Sequence, residues 1–301
     1  MSAMTDDAAG FEPDAGLVPS EAKIARREMV GQLLRSKTFI IGNVIVGFWV
    51  FWALAGSSLT PHDPLEQTPA ILQAPNTTYW FGTDQFGRDI LSRVLAGATT
   101  VLTVAPLATL LAIVCGTAIG LITGYFGGIA DETISRIVDA VLALPLVVIA
   151  VTVLTALGTS NMALIVVIGL IFTSPVARTV RATVLGERRL DYVQAAQLRG
   201  ERAPYIMSVE ILPNIAGPIV VEGTVRLGYA IFAVAGLTFL GFGVQPPSPD
   251  WSLQISDGYT LLNDTAHQGN YWVVLFPGLA VASLVIGVNL IADGVTRVLE
   301  R

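Results

Sequence analysis

Thr100–Gly124 reads TVLTVAPLATLLAIVCGTAIGLITG, 25 residues without one charged side chain. The hydrocarbon core of a bilayer is about 30 Å thick, and about 20 apolar helical residues cross it. The run therefore predicts a membrane-spanning helix. Five further stretches read the same way: 38–58, 137–157, 161–177, 214–243 and 271–292. The fourth span in chain order, 161–177, is short. The fifth, 214–243, is long and is expected to tilt or break, with Pro218 near its start. The fold class is all-α, a polytopic membrane protein with six transmembrane helices.

Composition agrees. Of 301 residues, 53% are hydrophobic and 13% charged, and the mean hydropathy is +0.66. A soluble domain carries about 25% charged residues, so a soluble enzyme, a disulfide scaffold and a disordered chain all fit poorly. A net charge of −6 argues against a nucleic-acid binder. The single cysteine, Cys115, lies in the apolar run and reads as a small buried hydrophobe.

Lys and Arg alternate between the segments that join the spans. Fourteen of the seventeen fall before the first span, in the second and fourth connections, or after the last span. Two, Arg88 and Arg93, fall on the other side, and Arg226 lies inside the fifth span. The positive-inside rule places both termini in the cytoplasm. Residues 1–20 are acidic and are expected to be a disordered cytoplasmic leader. Residues 21–37 fit an amphipathic interfacial helix with Ile24, Met29, Val30, Leu33 and Leu34 on one face. An unstructured basic leader is the alternative. Residues 38–301 form the membrane domain, with extracytoplasmic loops at 59–99 and 244–270 and a cytoplasmic loop at 178–213.

Catalytic machinery is missing. The only lysines, Lys23 and Lys37, follow Ala22 and Ser36, so neither completes a phosphate-binding G-x-x-x-x-G-K-[ST] loop. His62 and His267 stand apart with no cysteine nearby, so no metal site is expected. The chain is read as a non-enzyme.

The 178–213 loop carries six arginines. A basic extension of the fourth span, Val180–Leu190, is followed by a second helix that Asp191 can cap, running through Tyr192, Gln194, Ala195, Ala196 and Leu198 to Arg199. Gly200 allows a sharp turn. A further helical stretch places Ile206, Val209 and Leu212 on one face and ends at Pro213. The result is a compact protruding knuckle.

Gln194-Ala195-Ala196, Gly200 and Leu212-Pro213 resemble the E-A-A-x-x-x-G loop of ABC importer membrane subunits, with Gln194 standing where the pattern has Glu. Gly82-Thr83-Asp84, Gly87-Arg88-Asp89 and Ser92-Arg93 resemble the G-T-D-x-x-G-R-D-x-x-S-R signature of peptide and nickel permeases. Phe239-Leu240-Gly241, Pro246-Pro247 and Trp251 are similar to their F-L-G-x-G-x-x-P-P-x-P-x-W segment, and Asn289–Gly294 to their N-L-x-G-D-G ending, with Ala292 replacing Gly. The matches cover about 38–301 and point to the C-type permease of dipeptide and oligopeptide importers. The resemblance implies the type I ABC importer permease fold in a bacterial cytoplasmic membrane. It also implies a second homologous permease, two cytoplasmic ATPases that bind ATP and Mg, and an extracytoplasmic substrate-binding protein. The chain itself would hold no cofactor. The stretch around Ala195–Pro204 would be the coupling helix that meets an ATPase.

Three features lie at membrane depth. Glu222 and Arg226 are spaced i, i+4 and face one another. They either line the pore or lock the fifth span against a neighbour. Gly116, Gly120 and Gly124 make a small-residue ridge for close helix packing, within the subunit or between permeases. Asp139 is expected to pair with Arg136. Pro106 and Pro145 are candidate kinks. The competing function is a secondary transporter driven by an ion gradient, with Glu222 as its titratable group.

Overall fold

The computed structural model describes residues 31–33, 35–263 and 269–299. The leader at 1–20, most of the helix expected at 21–37, and His267 lie outside the described residues. Among the described residues there is no strand, and nine helices have eight residues or more. They are α1 Lys37–Ala55, α2 Ile90–Phe126, α3 Gly128–Leu142, α4 Leu146–Leu157, α5 Asn161–Glu187, α6 Asp191–Leu198, α7 Ala216–Phe239, α8 Trp251–Gly258 and α9 Trp272–Leu299.

Five helices are long and apolar enough to cross a membrane alone, and six spans result when α3 and α4 count as one. The span expected at 137–157 is thus not one straight helix: its two parts meet at 92°. Pro145 is the reason. It has no N–H to give the preceding turn, and its ring pushes Leu144 away from helical dihedrals. The 12 residues of α4 rise only about 18 Å.

Helix α2 is longer than its apolar core. It has 37 residues and begins at Ile90, so the last ten residues of the loop expected at 59–99 are helical. Asp89 caps it by accepting from the Ser92 N–H at 3.0 Å. The two arginines that make this region read as a loop are both buried against carboxylates. Helix α5 continues past 177 to Glu187. Helix α7 is shorter than expected, and Pro218 lies in its first turn, where a missing N–H breaks no helical bond.

Helices α2 and α5 form the central pair, running parallel. A side chain on Gly116, Gly120 or Gly124 would meet Val176, Val180 or Val184 at 2.6–2.7 Å, so the whole ridge is used within the subunit. Helices α1 and α9 run antiparallel, with Gly42 against the Gly287 carbonyl and Trp49 donating to the Ser283 hydroxyl at 2.9 Å. Helix α7 meets α2 where Gly223 faces Ile113, and α9 where Gly228 faces Asn289. The bundle has two distinct ends. One gathers Arg178 to Arg202, and the other carries α8 and the 60–89 segment.

Candidate functional site

At the arginine end the chain leaves α5, turns, and forms α6. Val193 and Ala196 are buried, which seats one face of α6 on the bundle. Gln194, Ala195 and Arg199 are exposed, and Leu198 is 90% exposed. The residue capping α6 is Leu190, not Asp191, which sits in the first turn, where its charge still favours the helix N-terminus. Two backbone bonds close the other end. The Gly200 N–H donates to the Gln197 carbonyl at 3.0 Å, and the Glu201 N–H to the Ala196 carbonyl at 3.2 Å. This is a Schellman closure, and it holds Gly200 at φ +80°.

Side chains brace the knuckle. The Tyr192 hydroxyl donates to Glu187 at 2.7 Å, and burial together with that carboxylate pushes its pKa up to about 12. The Gln194 amide donates to the Arg189 carbonyl at 3.1 Å, in the turn between α5 and α6. A glutamate could not donate there. Arg199 pairs with Glu210 at 2.9 Å. Beyond Pro204 the helix widens into a π turn over Ile206–Ile211, then re-forms at Leu212–Asn214. Pro213 explains it, because its ring excludes the regular i−4 bond. The widening shifts the buried spacing to five. Ile206 and Ile211 face inward, and Val209, expected beside Ile206, is half exposed.

At membrane depth the Arg226 Nε donates to Glu222 Oε1 at 2.6 Å, and the guanidinium sits 5.3 Å from the Tyr229 ring centre. The Thr179 hydroxyl of α5 donates to the second Glu222 oxygen at 3.4 Å. About one turn of α5, Arg178 to Arg181, therefore serves two neighbours. Arg181 forms a two-bond pair with Asp131 of α3, and Arg178 meets Asp139 at 3.0 Å. The expected Asp139–Arg136 pair is not formed; Arg136 instead meets Glu132, one helical turn before it. Thr179 and Asp131 were not singled out by sequence, because only the tertiary fold brings them to the arginines and Glu222.

The opposite end is a polar knot built from the G-T-D-x-x-G-R-D segment. Gly82 and Gly87 have φ of +78° and +72° and leave no room for a side chain. The Thr83 N–H donates to the Gln73 carbonyl at 3.0 Å. The Asp84 carboxylate accepts from the Phe86 and Arg88 N–H groups and from the Arg88 Nε at 2.6 Å. Arg93 is fully buried, 3.7 Å from Asp84, and donates to the Ser248 carbonyl at 3.1 Å. Arg88 reaches Asp257 on α8 at 3.5 Å. Burial pushes the Asp257 and Asp250 carboxyls above their ordinary range, against the pull of Arg88 and Arg93 on Asp257 and of two backbone N–H bonds on Asp250. Pro246 and Pro247 are exposed, but Trp251 is completely buried, 4.6 Å from the Trp49 ring. Within the loop expected at 244–270, α8 is followed by a tighter turn, Tyr259–Asn263. No group of three or more metal-ligating side chains occurs among the described residues.

Residues 116–301 match the family described as binding-protein-dependent transport system inner membrane component. The chain is 37% identical to a dipeptide transport system permease protein of Alkalihalophilus pseudofirmus, over 91% of this chain and 89% of that protein. It is 33% identical to a di/tripeptide transport system permease protein of Pseudomonas aeruginosa, over 83% and 84%. It is also 33% identical to a glutathione transport system permease protein of Pectobacterium atrosepticum, over 91% and 90%. These relatives do not favour the ion-gradient alternative. In such importers ATP hydrolysis belongs to separate ATPase subunits, and a binding protein presents the substrate. The chain belongs to the binding-protein-dependent transport system inner membrane components and is a multi-pass, non-catalytic, pore-forming permease subunit of an ABC importer.

Proposed function

We propose that this chain pairs with a second homologous permease to pass di- and oligopeptides across a bacterial cytoplasmic membrane. The names of its relatives, which cover dipeptides, di/tripeptides and glutathione, support peptides as the cargo. Both termini and the 178–213 loop face the cytoplasm in this reading, as the arginine distribution supports. ATP and Mg reside in two cytoplasmic ATPases. Helix α6, with Gly200 and Pro204 behind it, is the coupling element, and Glu222 and Arg226 face the aqueous path.

The observation that carries the reading is the knuckle. A short helix is seated by Val193 and Ala196, closed at Gly200, and presents a 90% exposed leucine away from the bundle. A rigid, uncovered, apolar-tipped projection suits transmission of force to a partner. Closure of the ATPases on ATP would draw this knuckle toward that of the second permease and open the path outward, and hydrolysis would reverse the motion. The test uses the reconstituted complex with its binding protein and a labelled dipeptide. Gly200→Val meets no neighbour within 4 Å but cannot hold φ +80° comfortably. Insertion and complex yield stay normal, while peptide-stimulated ATP hydrolysis and uptake fall at least tenfold. Normal coupled turnover in Gly200→Val would sink the assignment, and full uptake by the chain alone would sink the importer reading.

A further inference from the structure

The knuckle also says what kind of surface its partner carries. Arg188 and Arg189 follow the last turn of α5. With Leu185, Gln194, Gln197 and Leu198 they line a shallow groove on one side of α6. Two cations, two amides and two leucines line it, and no carboxylate does. Close by, Glu187 accepts from Tyr192, and Arg199 is paired with Glu210. Among the described residues, neither Arg188 nor Arg189 has a carboxylate within 4.0 Å. The groove is therefore left cationic and apolar at once.

Two occupants fit cationic chemistry, the phosphates of lipid headgroups and an acidic protein surface. Length separates them. The 27 residues of α5 rise about 40 Å, against a hydrocarbon core of about 30 Å. With Asn161 at one membrane boundary, Arg188 and Arg189 stand about 10 Å beyond the other, at or outside the outer edge of the headgroups. Leu198 lies on the projecting tip, and lipid phosphates would leave it in water.

We infer that this groove receives a segment of the partner ATPase in which a carboxylate lies beside an apolar side chain, the carboxylate meeting Arg188 and Arg189 and the apolar group covering Leu198. The inference rests on α6 being the coupling element. Charge pairs at the rim of an interface set encounter and register, and pairs desolvated by a partner hold it. Gln194 fits the same arrangement: its amide is already committed to the Arg189 carbonyl, so residue 194 brings no negative charge to compete for the arginines.

The experiment uses the whole complex in detergent and in vesicles of neutral or anionic phospholipid. Arg188→Glu with Arg189→Glu is compared with the milder Arg188→Gln with Arg189→Gln, and ATPase retention on the purified permease is measured. Retention is expected to fall about tenfold or more for the Glu pair and less for the Gln pair, in detergent and in both vesicles. Lysine in place of a carboxylate on the ATPase contact surface restores the Glu pair. Wild-type retention in the Glu pair overturns the inference, and so does a loss confined to anionic vesicles, which would assign the groove to phosphate. A Leu198→Cys crosslink to the ATPase, made in a Cys115→Ala background, separates the two levels. A crosslink with no charge effect defeats only the groove, and no crosslink defeats the coupling reading itself.

Discussion

The indole N–H of Trp251 donates to the carbonyl oxygen of Val94 at 2.6 Å, tying α8 to the first turns of α2 across 157 positions of chain. Gly97 lies directly beneath: a side chain there would collide with the Pro249 carbonyl and the Trp251 ring. Gly97→Ala should therefore destabilise the subunit by about 1–3 kcal/mol through overpacking. Trp251→Phe should cost about 1 kcal/mol for the hydrogen bond, plus the volume lost. Gly186→Ala, with open space around it, should be neutral or stabilising by up to about 1 kcal/mol. Thermal unfolding of the detergent-purified complex checks all three.

The glycine ridge gives a sharper size dependence. Gly120 opposes Val180 and the Ala177 carbonyl, so Gly120→Ala should lower the unfolding midpoint measurably and Gly120→Leu should prevent α2 and α5 from pairing. Loss of folded monomer on size exclusion, rather than selective loss of the second permease, is the expected signature. The reverse result would move this ridge to the permease–permease contact.

The two carboxylates nearest Arg88 should behave oppositely. Asp84 accepts from Arg88 and two backbone N–H groups and lies beside Arg93. Asp84→Asn leaves buried cations underpaired and should cost about 3–5 kcal/mol. Asp257 is different, because burial holds its pKa above the ordinary 3.8. Between 3.8 and that raised value the folded protein keeps a proton the unfolded chain has lost, so stability rises as pH falls through the window. Asp257→Asn should change stability by less than about 1 kcal/mol. It should also remove part of the gain on acidification, read as the difference in unfolding midpoint between wild type and variant from pH 7 down to about 4.

Glu222 and Arg226 can be separated into structural and transport roles. Glu222→Gln alone strands the Arg226 guanidinium at membrane depth and should reduce complex yield. Adding Arg226→Met removes the stranded charge and should restore yield. Uptake in the double variant should stay below about one tenth of wild type if the pair faces the aqueous path, a loss of about 1.4 kcal/mol or more in the transport barrier. Full uptake at full yield would show that the pair only packs.

Much of this was legible because membrane crossing is a matter of length and charge. The apolar cores of α1, α2, α5, α7 and α9 stand out in one dimension, and Gly200 announces a turn. What sequence hid was compensation. Arg88 and Arg93 read as loop residues because a helix start with buried charges is improbable until Asp84 and Asp257 are brought beside them. The α3–α4 break was signalled by Pro145, but the pairing of α3 with Arg178 and Arg181 was not, because those come from another helix. Asp139 was matched to Arg136 because local spacing was the only distance available. The π turn escaped detection for a related reason: Pro213 was read as a stop, when it widens the turn before it.

The parallel α2–α5 pair has a mechanical consequence. Helix α2 rises about 56 Å from the polar knot to Phe126, and three glycine rungs clamp it to the helix that ends in the knuckle. Such a pair behaves as a rocking beam. A tilt of about 10° around its midpoint would sweep each end through roughly 5 Å, about the rise of one helical turn. With no slack between the two helices, a pull at α6 would reach α8 undiminished and reversed in direction. A drawing together at the arginine end would then appear as a parting at the end that holds Trp251.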